Sequence, residues 1–173
     1  QCPVLVPALE ALIAPLRDWT GAHLRRGEQA KLALTATATG VELALRLPRP
    51  PALADREDLV RFVAAHRLAR IVWNDEVIIA REPPTVDFGG VPVALPPAPF
   101  LQATEAGERA MVAIAADAVG NAARIADLFA GCGAFALPLS ARARIDAFDS
   151  DAAAIAALGR AAGRAQRPVA SER

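Results

Sequence analysis

Tyrosine is missing from this sequence of 173 residues, lysine occurs once, at Lys31, and aromatic residues make up 5% of the chain. Hydrophobic residues make up 54%, but much of that fraction is alanine, so we expect an aliphatic and closely packed core. The formal net charge is zero. A balanced charge argues against a strongly basic surface that grips nucleic acid by charge alone.

Long hydrophobic runs are also absent. No stretch reaches the roughly 18 apolar residues of a membrane-spanning helix, and no charged-then-apolar segment typical of a secretion signal begins the chain. Cys2 and Cys132 are too far apart in sequence to suggest a disulfide scaffold. The sequence therefore predicts a soluble protein of the cytoplasm with no membrane partner, long enough for one domain or one and a half.

A proline-rich segment, Pro96-Pro97-Ala98-Pro99, is the clearest boundary in the chain. We expect one domain at residues 1–97 and a second at residues 98–173. In the first, alternating apolar runs predict strands and longer periodic runs predict helices. These elements are a helix at 3–19, a hairpin at 29–47, a helix at 55–66, a second hairpin at 71–79 and an edge strand at 86–95. Together they predict a small antiparallel α+β domain.

The second domain alternates helical and strand patterns. Thr104 is placed to cap a helix at 105–119. Strands are expected at 124–129 and 144–148, with helices at 134–141 and 152–163, and residues 168–173 begin a third strand. Strands that alternate with helices in this way predict a parallel α/β sheet of Rossmann-like type.

A glycine-rich loop after the first of these strands marks a candidate ligand site. Gly131 and Gly133 allow dihedral angles closed to other residues and a close approach of ligand to backbone. A helix from about Ala134 would direct free N–H groups at the loop. Asp149, at the end of the next strand, is placed to accept hydrogen bonds from ribose hydroxyls.

Two ligands suit this loop. Gly131-x-Gly133-x-x-Ala136 is an acceptable dinucleotide fingerprint, which leaves open a dinucleotide-binding oxidoreductase domain. Asp127, however, lies inside the strand before the loop, where a carboxylate offers nothing to a pyrophosphate. S-adenosylmethionine has a cationic sulfonium, an ammonium group and no phosphate, so a carboxylate suits it better. A third reading, a non-catalytic interaction module that keeps the fold, stays open as well.

Three segments resemble one family. The run ADLFAGCGAFALPLS at 126–140 closely resembles the S-adenosylmethionine loop of the bacterial RNA (uracil-5-)-methyltransferases, which modify uridines in ribosomal and transfer RNA. The segment at 99–104 resembles the Phe-x-Gln-x-Asn segment of that family, and the segment at 1–5 resembles its Gln-Cys-Pro segment. The resemblance implies a partial class I S-adenosylmethionine-dependent methyltransferase domain. By the same resemblance and the loop chemistry, the cofactor contacts are Gln102, Asp127, Phe129, Gly131, Gly133 and Asp149.

The resemblance also implies what the chain does not contain. The family carries its nucleophilic cysteine and its base nearer the C-terminus, in motifs absent here, so we expect an internal fragment with no catalytic residue. Cys132 is rejected as a nucleophile because it lies inside the cofactor loop. In the ribosomal-RNA branch, the cysteine that matches Cys2 is one of four ligands to a 4Fe–4S cluster, and the other three would lie upstream.

Partners follow from the same reasoning. The intact parent is expected to act on RNA, while this fragment does no chemistry. The strand at 124–129 should be central in the complete sheet, so a chain without later strands would expose an apolar edge and could self-associate through it. His23 and His66 occur singly, and we expect them to lack carboxylate or cysteine partners, so neither a metal site nor a catalytic triad is expected from them.

Overall fold

The computed structural model describes residues 5–173, which fall into two compact units. The first unit ends at Pro84 and the second is Thr85–Arg173. The sequence-based domain boundary after residue 97 stays a prediction. The compact units separate earlier because Val91 and Val93 are buried in the core of the second unit.

The first unit contains a four-stranded sheet in the order β1-β2-β3-β4. Its strands are β1 (Lys31–Thr37), β2 (Gly40–Arg46), β3 (Arg70–Trp73) and β4 (Glu76–Ala80). The outer pairs are the two expected hairpins, but β2 and β3 run parallel. The sheet is therefore mixed and not antiparallel as expected, because a helix carries the chain back along the sheet before β3 begins.

Three helices accompany this sheet: α1 (Pro7–Glu10), α2 (Ile13–His23) and α3 (Leu53–His66). The single helix expected at 3–19 is thus two helices in the described residues, and residues 3 and 4 lie outside them. Leu43, Leu45, Leu59, Ile71 and Trp73 are each at most 1% exposed and form the centre of the core.

Arg49, between β2 and α3, contacts several polar and aromatic groups of this unit. Its guanidinium donates to both carboxylate oxygens of Asp55, at 2.5 and 3.2 Å, and to the carbonyl of His23 at 3.1 Å. It also lies over the Trp73 ring, 5.4 Å from the ring centre. Asp55 is 4% exposed, and its hydrogen bond to Arg49 lowers the pKa of the carboxyl against the opposing effect of burial.

The second unit begins with a hairpin, β5 (Thr85–Phe88) and β6 (Val91–Ala94). The sequence predicted one interrupted strand here. Gly89 and Gly90 have φ of 63° and 83°, and two successive residues with positive φ favour the tight turn that joins antiparallel strands. The chain therefore reverses where the sequence suggested only an interruption.

A parallel three-stranded sheet in the order β7-β8-β9 forms the rest of this unit. Its elements are α4 (Glu105–Val119), β7 (Arg124–Leu128), α5 (Ala136–Leu139), β8 (Arg144–Phe148), α6 (Ala152–Arg164) and β9 (Val169–Glu172). Among the described residues β7 pairs with β8 alone, so β8 is the central strand. Ile145, Leu137 and Leu158 are fully buried between sheet and helices.

Within residues 5–173, no helix has the length and apolar character needed to cross a membrane.

Candidate cofactor site

The glycine loop follows β7 at the carboxyl edge of the sheet. Gly131 and Gly133 have φ of 54° and 98°, and Phe129 has φ of 62°. The Gly133 N–H donates to the Ala130 carbonyl at 2.9 Å, and the Ala130 N–H donates to the Phe148 carbonyl at 3.0 Å. These two bonds tie the loop to itself and to the end of β8.

The two loop glycines are required for different physical reasons. A Cβ atom on Gly133 would lie 2.5 Å from Cδ1 of Leu158 and 3.2 Å from Leu137, so this glycine allows the loop to pack on the core. A Cβ atom on Gly131 would meet nothing within 4 Å. Gly131 therefore borders open space, where a ligand could approach the backbone closely.

Asp149 holds the loop through both of its carboxylate oxygens. Oδ2 accepts from the Gly131 N–H at 2.7 Å, and Oδ1 accepts from the Asp151 N–H at 2.8 Å. The Asp151 carboxylate in turn accepts from the N–H groups of Ala153 and Ala154 and caps α6. The loop, the end of β8 and the start of α6 thus form one hydrogen-bonded unit, which we call the Asp149 clamp.

The substitution Asp149→Asn is expected to loosen the loop, because an amide has one acceptor oxygen and would direct its NH₂ group at one of the two N–H donors. A bond from an N–H to a charged group contributes about 1.5–3 kcal/mol. Native-state hydrogen exchange of the Gly131 or Asp151 amide should therefore accelerate at least about tenfold. NMR-detected exchange measures both amides.

Asp87→Asn is the matched control for this substitution. Asp87 accepts one N–H, from Gly90 at 2.8 Å, through a single oxygen. An asparagine keeps that acceptor, so exchange at Gly90 should change little. Unchanged exchange at Gly131 and Asp151 in Asp149→Asn would show that the clamp does not hold the loop.

Asp127 lies in β7 with a carboxylate oxygen that has no partner. Its Oδ2 is buried and accepts no hydrogen bond from the described residues. Burial raises the pKa of this carboxyl, a backbone bond from Ala136 opposes the rise, and the charge of Asp149 adds to it. A buried and unsatisfied acceptor of this kind suits a cationic or hydrogen-bond-donating ligand group.

Two further residues of the expected site have different surroundings. Phe129 is 89% exposed and adopts a left-handed conformation that is unfavourable for a bulky side chain. An exposed aromatic ring held in a strained conformation is a candidate surface for stacking a ligand. Gln102 is half-buried, and its side chain makes no hydrogen bond within residues 5–173. The expected roles of both residues stay predictions.

The helix after the loop is shorter than expected. The sequence predicted a helix at 134–141, but α5 covers only Ala136–Leu139. Residues 131–135 form turns instead. Gly133 packs against Leu158 with a φ of 98°, which is not a helical conformation, so the helix begins only after this residue. One helical turn supplies little dipole, so the glycine loop and the Asp149 clamp shape the site.

Cys132 is 5% exposed. Burial, with the charges of Asp151 and Asp149, raises the pKa of its thiol to about 11. At neutral pH it is therefore a protonated thiol and a weak nucleophile.

His23, expected to lack a carboxylate partner, has one. Its Nε2 lies 2.7 Å from Oδ2 of Asp58, its Nδ1 lies 2.8 Å from the Trp19 carbonyl, and its ring stacks on Trp19. That expectation was wrong because Asp58 is distant in sequence.

Residues 5–173 hold no group of three metal-ligating side chains. Cys2, the residue matched to an iron–sulfur ligand, lies outside the described residues.

Sequence comparison finds relatives among the RNA methyltransferases. No family model matches the chain. It is 40% identical over 162 residues to an uncharacterized RNA methyltransferase of Mesorhizobium japonicum, covering 94% of this chain and 39% of that protein. It is 34% identical over 148 residues to the 23S rRNA (uracil(1939)-C(5))-methyltransferase RlmD of Salmonella typhi, covering 83% of this chain and 34% of that one.

Solved structures agree in fold. The tRNA (uracil-54, C5)-methyltransferase of Pyrococcus abyssi, solved with S-adenosyl-L-homocysteine, superposes with a TM-score of 0.68 at 15% identity, over 98% of this chain and 47% of that one. The tRNA m1G37 methyltransferase of Methanocaldococcus jannaschii gives 0.59 at 14% identity, over 95% of this chain and 51% of that one.

The parallel sheet, the glycine loop and these superpositions define the fold as that of the Rossmann-like S-adenosylmethionine-dependent methyltransferases. By sequence similarity the chain belongs to the RNA methyltransferases, and its relatives include a uracil-C5 methyltransferase of 23S rRNA. This similarity confirms the resemblance found in the loop sequence. The chain spans roughly two fifths of the curated relatives' length, at 39% and 42% of the first two.

Proposed function

We propose that this chain is the part of an RNA (uracil-5-)-methyltransferase that carries the first half of the S-adenosylmethionine site. The complete protein would methylate carbon 5 of a uridine in ribosomal or transfer RNA. The observation that supports this most is the placement of Asp127, the glycine loop and Asp149 at one edge of the sheet. A buried carboxylate oxygen without a partner and open space at Gly131 fit a cationic, phosphate-free ligand.

Each residue of the site has a distinct part in this proposal. S-adenosylmethionine supplies a methyl group activated by its positive sulfur. Asp127 would accept a hydrogen bond from the ligand ammonium group, and Asp149 would accept from ribose hydroxyls with the lone pairs that the clamp leaves free. Phe129 would offer its exposed ring as a stacking surface, with Gly131, Gly133 and Gln102 completing the contacts.

The chemical step would use residues outside this chain. Methylation at carbon 5 of uracil needs a thiolate that adds to carbon 6 and a base that removes the carbon-5 proton. The protonated Cys132 thiol does not meet the first requirement.

An iron–sulfur cluster in the longer protein, with Cys2 as one ligand, is a separate proposal. The described residues do not fit such a cluster, which needs four ligands, and no step is derived from it.

Two other functions are less well supported. A dinucleotide-binding oxidoreductase would place a pyrophosphate near Asp127, where a carboxylate repels it. A non-catalytic interaction module would not need an unsatisfied carboxylate beside open space. The RNA methyltransferase relatives also favour the first proposal over both alternatives.

S-adenosylhomocysteine binding with Asp127→Asn tests the proposal. Because burial raises the pKa of Asp127 and a cationic partner would lower it, binding should release a proton. Affinity should therefore fall as the pH drops through the raised pKa, and the asparagine variant should bind more weakly with no such pH dependence. Calorimetry in two buffers of different ionisation enthalpy measures the proton, and NMR locates the ligand at residues 127–134 and 149.

Asp127→Asn should also stabilise the ligand-free chain. A carboxyl with a raised folded-state pKa favours folding in its protonated form, and that contribution is lost as the pH rises through the folded pKa. An asparagine avoids the buried charge, so the melting temperature at pH 7 should rise. Asp117→Asn, on the exposed face of α4, is the control for both measurements. Ligand shifts confined to amides outside the loop would reject the assignment.

Self-association through β7 is part of the proposal for the isolated chain. Leu128 is 65% exposed at the end of a strand whose second edge is unpaired among the described residues. We expect light scattering to show dimers or larger species of the wild type, and Leu128→Lys to give monomers because a charge at an edge blocks strand pairing. Val60→Lys, on α3 with 57% exposure, is the control. A monomeric wild type at high concentration would reject this pairing.

A further inference from the structure

The amino edge of the parallel sheet carries a cluster of arginines. β7 begins at Arg124 and β8 at Arg144, and these two residues are register partners. Arg142 precedes β8, and Arg167 precedes β9. We call these four residues the arginine edge. The chain thus places four guanidinium groups where three adjacent strands start.

Few negative groups balance these charges. Arg124 donates to Asp146, and Arg144 reaches the same carboxylate at 3.9 Å, while their side chains remain 70% and 65% exposed. Arg142 donates to the Ala116 carbonyl. Arg167 forms no salt bridge with any residue of the described chain. The edge therefore has more guanidinium groups than the carboxylate of Asp146 neutralises.

Neutralisation of helix ends explains only part of the cluster. α4 and α6 run against the strands and end at this edge, where the partial negative charge of a helix C-terminus favours cations. Arg142, through Ala116, serves that purpose. Arg124 and Arg144 are neighbouring like charges on paired strands, an arrangement that is destabilising. Both reach the single carboxylate of Asp146, which offsets one of the two charges, so this ion pair leaves one guanidinium charge of the pair unbalanced.

The opposite edge of the same sheet is acidic. Asp127, Asp149, Asp151 and Glu172 lie at or just beyond the carboxyl ends of the strands. A strand of five residues spans about 16 Å, which is longer than the screening length of about 8 Å at physiological salt. The two edges therefore act as separate electrostatic surfaces, although the formal net charge of the chain is zero.

We propose that the arginine edge binds phosphate groups of an RNA strand away from the cofactor site. This inference rests on the proposed function, which supplies RNA as the partner. Guanidinium groups are planar, stay charged and bond phosphate oxygens in pairs. Contacts to phosphates position an RNA without reading its sequence. The edge would thus hold a part of the substrate other than the reacting uridine.

Fluorescence anisotropy of a labelled 20-nucleotide single-stranded RNA, over a series of salt concentrations, tests this with the 173-residue chain. The variant is Arg144→Gln with Arg167→Gln, which leaves the Arg124–Asp146 pair in place. The control is Arg109→Gln with Arg160→Gln, which removes the same charge from exposed positions on α4 and α6. Circular dichroism melting checks that all three proteins are folded.

The edge variant should bind about tenfold more weakly at 50 mM salt, and its slope of log K against log salt should be shallower by about 1.4, the value for two lost phosphate contacts on a single strand. The control should resemble the wild type. Equal losses in both variants, or no RNA binding by the wild type, would overturn the inference. Displacement of the RNA by polyaspartate at equal charge concentration would also overturn it, since the edge would then bind any polyanion.

S-adenosylhomocysteine binding by the same proteins separates the two proposals. If the wild type and the edge variant bind this ligand equally and the RNA affinities are also equal, the arginine edge fails while the proposed function stands. If the ligand does not bind at the loop of any of these proteins, the proposed function fails by its own test.

Discussion

Gly133→Ala is expected to destabilise the second unit by about 2–5 kcal/mol. The added Cβ would lie 2.5 Å from Cδ1 of Leu158, and the backbone would keep a φ of 98° that side chains rarely adopt. Overpacking a core costs about 1–3 kcal/mol, and a left-handed conformation costs roughly 1–2 kcal/mol more. Leu158 is fully buried, so it has little room to move. Urea unfolding followed by circular dichroism measures the loss.

Gly131→Ala is the matched control, because it introduces the same atom in the same loop. Its φ is 54°, but no atom lies within 4 Å of the added Cβ. Only the conformational cost of about 1 kcal/mol applies. Equal destabilisation by the two substitutions would mean that contact with Leu158 does not decide the effect, and that Gly133 is needed for its conformation alone.

Arg49→Met is expected to destabilise the first unit by about 3–5 kcal/mol. The substitution leaves Asp55 buried with no guanidinium partner, and breaking a buried ion pair from one side typically costs that much. The salt bridge itself is 2.5 Å long, between side chains that are 13% and 5% exposed. Methionine keeps much of the apolar contact with Trp73, so the loss reports mainly on the charge.

The control for this substitution is Arg46→Met. Arg46 pairs with Asp75 at a similar distance of 2.7 Å, but the side chains are 61% and 63% exposed. An exposed pair contributes roughly 0–1 kcal/mol, so the two substitutions should differ severalfold in urea unfolding. Similar losses would show that the burial of Asp55 is not what makes the Arg49 pair important.

The pH dependence of stability gives a second measure of the same pair. Arg49 lowers the pKa of Asp55 below its ordinary value of 3.8. The pair therefore contributes fully above pH 3.8, and the contribution is lost as the pH falls through the lower folded-state value. In Arg49→Met this acid-induced loss should be smaller, because the guanidinium, which has the largest lowering effect on the pKa, is gone. An unchanged pH profile below pH 4 would contradict the assignment.

The sequence predicted the helices and strands better than it predicted how they pair. Periodicity is a local signal, and it located β7, β8 and α6 to within a residue or so. The direction of β3 relative to β2 depends on how α3 crosses the sheet, which no local pattern records. The hairpin at Gly89 and Gly90 was missed because two glycines in an apolar run suggest an interruption as readily as a turn.

The positions of the candidate site residues were predictable where the topology of the sheet determines them. Parallel strands bring their carboxyl ends to one edge, and the alternation of strands and helices was enough to expect Asp127 and Asp149 beside the glycine loop. The bond from Asp149 to Gly131 could not be predicted, since it depends on loop dihedrals. The pairing of His23 with Asp58 joins residues far apart in sequence, and the short α5 follows from the packing of Gly133 on Leu158.

The Asp149 clamp also has a consequence for the kinetics of ligand capture. A loop that is already hydrogen-bonded to β8 and α6 loses little conformational entropy when a ligand arrives, because folding has already fixed it. Encounter then needs no loop rearrangement, and changes in affinity from altered ligand contacts should appear as changes in dissociation rate. Loss of the clamp would instead slow association, since only a fraction of the molecules would present the loop in its binding conformation.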